Sequence, residues 1–287
     1  MQYLKISFAM ADSIDIVVSF LIETGVELLL EDIQKALDRN VKVRILTGNY
    51  LGITQPSALY LLKGKFGDKI ELKFYNDRSR SFHAKAYIFH YENHNEIYVG
   101  SSNMSKSALT SGIEWSYKFT DKQDGKNYIP FMETYNDLYN NHSILVNNEI
   151  LKSYADNWQR PAVYKDIMKL PDNPTVDDSN VVELIKPRGA QIEALYALDQ
   201  IRKEGANKSL VLAATGVGKT YLAAFDSMKY KKILFVAHRK EILNQASRSF
   251  ATVHKSNNIG FFNSNEKSTD KDMIFASVST LGKNGFI

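Results

Sequence analysis

A chain of 287 residues has room for two domains, each with a sizeable core. It holds no cysteine, which excludes a disulfide framework and any thiolate metal site and fits a cytoplasmic setting, and no apolar run approaches the roughly 18 residues that cross a bilayer, so no membrane association is expected. The net charge of +4 is unevenly spread: residues 1–150 carry 16 Lys+Arg against 18 Asp+Glu (net −2), residues 151–287 carry 20 against 14 (net +6), and a basic surplus suits a polyanion partner.

The N-terminus MQYLKISFAMADSIDIVV lacks the basic start and long apolar core of a signal peptide, and its alternation reads as a strand. SIDIVVSF (13–20) is short and β-branched, a buried strand. TGVELLLEDIQKALDRN (24–40) places Val26, Leu29, Leu30, Ile33 and Leu37 at helical spacing, with Thr24 as N-cap. VKVRILT (41–47) is the next strand, ALYLLKGKF continues a helix, and KIELKFY (69–75) alternates cleanly. FHAKAYIF (82–89) and NEIYVGSS (95–102) read as strands joined by a polar loop, and GIEWSYKF (112–119) as another. Two helices, NYIPFMETYNDLYNNH and 148–158, close the unit. The pattern predicts an α/β sandwich with a mixed sheet over residues 1–158.

Residues 159–187 hold four of the six prolines (Pro161, Pro171, Pro174, Pro187) and an acidic DNPTVDDSN stretch, and read as a linker. From Arg188 a βαβ rhythm starts: helix RGAQIEALYALDQIRKEG, strand SLVLAA, helix GKTYLAAFDSMKY, strand KILFVA, helix RKEILNQASRSFATV and strand DMIFASV. It predicts a parallel sheet over residues 188–287.

ATGVGKT fits a phosphate-binding loop with Ala213 in the first glycine position. Small residues after a strand let backbone N–H groups face phosphate, and the following helix turns its positive dipole end to the same place. Residues Ala214, Thr215, Gly216, Val217 and Gly218 would form the cradle. Lys219 would reach the β- and γ-phosphates of ATP, and Thr220 would ligate Mg²⁺. With PRGAQIEAL (187–195), ILFVAHRKEILNQ (233–245) and FASVSTL (275–281), the stretch resembles the opening motifs of superfamily 2 helicases, closest to the ATPase subunits of type I and III restriction enzymes. The resemblance covers about residues 186–287 and implies a RecA-like domain. It implies that Gln191, entering with Arg188, contacts adenine, and that the segment after VAH and the SVSTL turn lie along nucleic acid. That family also uses an Asp-Glu pair for Mg²⁺ and water, and a second lobe with an arginine finger. The acids after Thr220 are Asp226, Glu241, Glu266, Asp270 and Asp272, none of them an Asp-Glu pair. The expectation is a truncated helicase domain, incomplete before the DExH motif, that binds ATP without efficient turnover.

In the first half, His83 and Lys85 lie two apart, a GSSN turn spans Gly100–Asn103, and Glu114 follows. A phosphodiester can be cleaved without metal by an imidazole nucleophile, cations and amides on the phosphate oxygens, and a carboxylate that orients the imidazole. On a strand, His83 and Lys85 would share a face. The pattern H-x-K, spacer, G-S-x-N resembles the phospholipase D superfamily over about residues 10–150. His90 stands where that family's usual Asp would be. One nuclease branch replaces that Asp with a downstream Glu, and the steps of 2, 18 and 11 residues between His83, Lys85, Asn103 and Glu114 look like that branch. The resemblance implies that His83 is the nucleophile, Lys85 and Asn103 bind phosphate, Glu114 orients His83, Ser101 and Ser102 assist, and no metal is needed. Arg78, Arg80 and Lys106 would guide a phosphate backbone. His90 and His94 read as loop residues, and six scattered histidines argue against a metal site. The family's site takes two such motifs and this chain holds one, so a homodimer through the first domain is expected. The leading expectation is a DNA-processing nuclease fused to part of a helicase, of restriction or phage-defence type. The alternative is a catalytically silent nucleic-acid-binding and dimerisation module of a truncated helicase. A phospholipid hydrolase is the third reading.

Overall fold

The computed structural model describes residues 2–77, 79–161 and 185–283. Arg78 and most of the proline-rich 159–187 stretch lie outside the described residues. The chain divides into two compact units, residues 1–179 and 180–287.

The first unit is built on a seven-stranded mixed sheet of order β6-β5-β4-β1-β2-β3-β7. Its strands are β1 Ser13–Val18, β2 Lys42–Thr47, β3 Ile70–Tyr75, β4 Lys85–His90, β5 Asn95–Gly100, β6 Ser116–Thr120 and β7 Ser143–Leu145. β1, β2 and β3 pair in parallel, and every other pairing is antiparallel. The two-residue period sends Ile14, Ile16 and Val18 into one core, and Val17 into the other with Leu46, Ala86 and Ile88. The first core takes helices α1 Gln2–Met10, α2 Glu23–Asp38, α3 Pro56–Phe66 and α6 Asn148–Asn157, with a short α4 Lys106–Leu109; the second takes α5 Gly125–Asn141. Val26, Leu29, Ile33 and Ala36 form the buried stripe of α2, and each large apolar side chain so buried contributes roughly 1.5–3 kcal/mol.

Several local expectations change. The N-terminal segment is a helix, because Leu4 and Phe8 stand one turn apart and pack on the core, Phe8 edge-on to Phe89 at 5.3 Å. Helix α2 begins at Glu23, not at a Thr24 cap, since the Gln55 side chain accepts the Glu23 N–H at 2.5 Å. Strand β4 begins only at Lys85 and β6 only at Ser116, so His83 and Glu114 lie in the loops before them. His90 is the last residue of β4.

The second unit has a parallel three-stranded sheet of order β8-β10-β9, from β8 Ile233–Ala237, β9 Ile259–Phe262 and β10 Met273–Ser277. Around it run α7 Ala190–Lys203, α8 Lys219–Ser227, α9 Lys240–His254 and α10 Val278–Lys283. The strand expected at 209–214 does not form. Leu210 and Leu212 are 84% and 87% exposed, and no described strand lies beside them to complete a ladder. Among the described residues, no helix is long and apolar enough to cross a membrane.

Candidate active site and nucleotide cleft

The site in the first unit is assembled around the end of β1. Lys85 opens β4, opposite Val18, and is only 8% exposed. Its ammonium donates to the His83 carbonyl at 2.9 Å and to Ser19 Oγ at 3.0 Å. Ser19, the residue after β1, donates its Oγ to the Ala84 carbonyl at 3.2 Å. The backbone N–H groups of Ser19 and Phe20 donate to Asn103 Oδ1 at 3.0 and 3.3 Å. Asn103 is buried, and with its oxygen held by two amides its NH₂ is the end left to donate. An ammonium carries three N–H bonds, so Lys85 has one beyond the two it uses. His83 is exposed, with its ring 4.3 Å from that of Tyr50. Partial desolvation and then the Lys85 charge hold the His83 pKa below its ordinary value, which favours the neutral, nucleophilic imidazole. Burial lowers the Lys85 pKa, and Glu114 opposes that shift.

Lys85 and Asn103 thus meet through Ser19, and His83 joins them through its backbone carbonyl on the Lys85 ammonium. Glu114 is placed differently. Its carboxylate accepts from Ser101 Oγ, whose oxygen in turn accepts the Trp115 N–H at 3.1 Å, and no described hydrogen bond joins Glu114 to His83. Gly100 lets this loop close: a Cβ there would collide with the Trp115 carbonyl, which accepts the Ser101 N–H at 3.0 Å. Of the basic residues expected nearby, Arg80 lies 3.4 Å from Asp77 and Lys106 begins α4. The sequence offered one signal for Ser19, a small polar residue ending a β-branched run.

His90 belongs to a second polar group, on the α5 face of the sheet. Its Nε2 lies 2.9 Å from Asp15 Oδ2 and its Nδ1 2.7 Å from Asn95 Oδ1. Asp15 is fully buried and takes the Arg44 guanidinium on both oxygens, a bidentate pair. His90 is therefore a structural partner of Asp15.

In the second unit, Gly216 and Gly218 take φ of +88° and +80°, the left-handed conformations a phosphate cradle requires. Lys219 Nζ donates to the carbonyls of Ala213 and Ala214 at 3.1 and 3.0 Å. Gln191 Nε2 donates to the Val217 and Gly218 carbonyls at 3.1 and 3.3 Å, while its Oε1 accepts the Arg188 N–H at 3.2 Å. Gln191 and Arg188 line a cleft of about 380 Å³ with Val217, Tyr221 and Phe225. Tyr221 and Phe225, one turn apart on α8, were not foreseen, although their spacing after Lys219 marks them as one face. Thr220 follows Lys219 in the first turn of α8. The loop conformation, the cation beside it and the aromatic cleft wall suit a nucleoside triphosphate.

Two family models match the chain. Residues 5–136 match one described as cardiolipin synthase, PLD-like domain, and residues 184–285 match type III restriction enzyme, res subunit. The UvrABC system protein B of Aster yellows witches'-broom phytoplasma and that of Onion yellows phytoplasma are each 31% identical over 79 residues, 27% of this chain. The match spans 12% of the length of those relatives. Among solved structures, NucT from Helicobacter pylori is 15% identical, with 50% of this chain and 89% of that one covered and a TM-score of 0.39. Phosphatidylserine synthase of Haemophilus influenzae Rd KW20 is 12% identical, with 58% and 41% covered and a TM-score of 0.42. The chain therefore carries two family-model matches in succession, a PLD-like domain over residues 5–136 and a helicase-like domain similar to the type III restriction enzyme res subunit over residues 184–285.

Proposed function

We propose that the first domain is a metal-independent phosphodiesterase acting on nucleic acid, most simply DNA, and that the protein serves restriction or phage defence in the cytoplasm. The observation that carries this reading is the Lys85–Ser19–Asn103 cluster beside His83. It puts one ammonium N–H and one amide NH₂ where they can hold phosphate oxygens, next to an imidazole kept neutral. His83 attacks phosphorus, forming a P–N bond as the P–O bond to the leaving oxygen breaks. The partner's His83, which takes up a proton when the phosphate's negative charge lies beside it, gives that oxygen its proton and later takes one from the attacking water. Water then cleaves the phosphohistidine and returns the imidazole. Glu114 turns from Ser101 to His83 when substrate is bound.

The second copy is part of the proposal because one chain supplies one imidazole. The surface that suits it is the edge strand β6 and the loop before it. Ile113 and Trp115 flank Glu114 at 97% and 84% exposed, and Tyr117 follows at 64%. In the second domain we propose that ATP and Mg²⁺ bind at residues 214–220, with Gln191 and Arg188 at the base and Thr220 on the metal.

The test is cleavage of plasmid and single-stranded DNA in EDTA by the native chain and by His83→Ala. Activity that survives EDTA and vanishes in the variant is expected. A second reading, a silent nucleic-acid-binding and dimerisation module, is favoured by the Ser101–Glu114 pairing and by His90. A dimer that binds DNA and never cuts it would establish that reading and sink the first.

A further inference from the structure

Beside His83, at the carboxyl ends of β2 and β3, opens a cleft of about 780 Å³, within the roughly 300–1,000 Å³ range of small-ligand sites. Its walls are aromatic. Tyr75 and Phe82 are stacked at 4.6 Å and 17°, Phe74 meets Tyr154 at 5.2 Å, and Tyr50 links the cleft to the catalytic loop through its contact with the His83 ring. Two amides, Asn49 and Asn76, stand among these rings.

The rim is held in place. Tyr154 Oη lies 2.8 Å from Asn49 Oδ1 and 2.7 Å from the Thr54 carbonyl, sharing its single proton between them, and Trp158 Nε1 donates to the Gly52 carbonyl at 2.8 Å. Between them Leu51 takes φ +52°, a left-handed conformation that a non-glycine residue keeps only where its surroundings impose it. Helix α6 thus fixes the turn that forms one side of the opening.

Charge separates this cleft from the phosphate site. Arg80 is offset by Asp77 at 3.4 Å, and Asp77 also accepts from Ser79 N and Oγ at 2.8 and 2.6 Å and faces His142 Nδ1 at 3.3 Å. A second phosphate gains little there. A flat, neutral ring with hydrogen-bonding edges fits the aromatic walls and the two amides.

We infer that this cleft receives one unpaired nucleobase of a single-stranded nucleic acid next to the phosphate at His83, so that single strands are the substrate class. The inference rests on the proposed phosphodiesterase. A base inside a duplex is stacked and paired and cannot enter without being extruded, whereas a base in a single strand can stack on aromatic rings at once.

The test separates base binding from catalysis. The full chain carrying His83→Ala, which cannot cut, is titrated with a fluorescent single-stranded DNA oligonucleotide, its RNA counterpart, the same DNA with abasic sites, and the duplex. Stacking of one base predicts roughly 10- to 100-fold tighter binding of the intact strand than of the abasic strand. DNA and RNA arms that agree mean that the base alone is read; a difference identifies the sugar preferred. A second variant adds Asn76→Trp, an exposed position whose new ring fills the cleft. It is expected to abolish the discrimination while leaving the unfolding temperature unchanged. Equal affinity for intact, abasic and duplex DNA overturns the inference, as does discrimination that survives Asn76→Trp. Neither outcome touches the phosphodiesterase reading, which fails only if the native chain does not cleave.

Discussion

Lys85 and Ser19 are joined by a hydrogen bond of 3.0 Å that fixes a buried ammonium at the end of β1. The same serine's N–H holds Asn103. Removing the hydroxyl leaves the ammonium with one partner fewer in a site that water reaches poorly. Loss of a hydrogen bond to a charged group costs roughly 1.5–3 kcal/mol, part of which falls on the aligned geometry. Ser19→Ala is expected to lower kcat about tenfold or more in a folded protein, while Ser19→Thr, which keeps the hydroxyl, restores part of it. Steady-state cleavage by the three proteins checks this. An unchanged kcat in Ser19→Ala would remove Ser19 from the site.

The His83 pKa is held down first by desolvation and then by Lys85. The neutral ring is the nucleophile, so its activity is lost as pH falls through a midpoint below the ordinary value of about 6.5. Lys85→Met deletes the second cause. In the variant, the His83 titration followed by NMR is expected to move up toward that ordinary value. A midpoint that stays put would mean that desolvation alone sets it.

Burial works against the charged forms of both Asp15 and His90, but their mutual hydrogen bond, with Arg44 on Asp15 and Asn95 on His90, prevails. The Asp15 pKa ends lowered and that of His90 raised. The Asp15 contribution is present above about pH 4 and fades as pH falls through its depressed pKa. The His90 contribution is full below about pH 6.5, its unfolded value, and fades as pH rises through its raised pKa. His90→Ala is therefore expected to cost about 1–3 kcal/mol near pH 5.5 and less near pH 9, read by urea unfolding at both. A cost independent of pH would mean that packing, not charge, is what His90 contributes.

Much of this was legible in the chain. The β-branched run at 13–18, alternation at 70–75 and the α2 stripe give the mixed sheet and its helical cover, because a continuous apolar run reports burial on both faces and period-two and 3.6-residue patterns report which face is buried. The candidates His83, Lys85 and Asn103 could be picked out from the H-x-K and G-S-x-N pattern and its resemblance to phospholipase D-like sequences. Their true placement could not, since the loop carrying His83 is set by Phe82 stacking on Tyr75, a contact between segments that periodicity does not join. The 209–214 stretch shows the opposite limit. Its composition is that of a strand, but a strand also needs a neighbour's hydrogen bonds, and sequence alone does not show whether one is present.

Trp115 and Ile113 leave a large apolar area in water beside an edge strand. In the proposed homodimer a second copy covers this area and the two His83 imidazoles share one site. Trp115→Asp is expected to convert a dimer to a monomer in light scattering and to abolish cleavage without unfolding the chain. A monomeric native protein that still cuts DNA would disprove the shared site.

Gly218 is the tightest point of the nucleotide loop. Its φ of +80° is strained for any L side chain, and a Cβ there would stand 2.6 Å from Gln191 Nε2, the amide that fastens α7 to the loop. Gly218→Ala therefore has to give up either the loop conformation or the Gln191 contact. Lys219→Ala removes only the cation. Both are expected to weaken binding of a fluorescent ATP analogue by at least about tenfold, since a phosphate-bound lysine and a preorganised cradle each contribute on the order of 1.5 kcal/mol or more. The two should differ in temperature of unfolding, with Gly218→Ala lowered and Lys219→Ala unchanged. Binding that withstands both substitutions would mean that nucleotide does not sit at this loop.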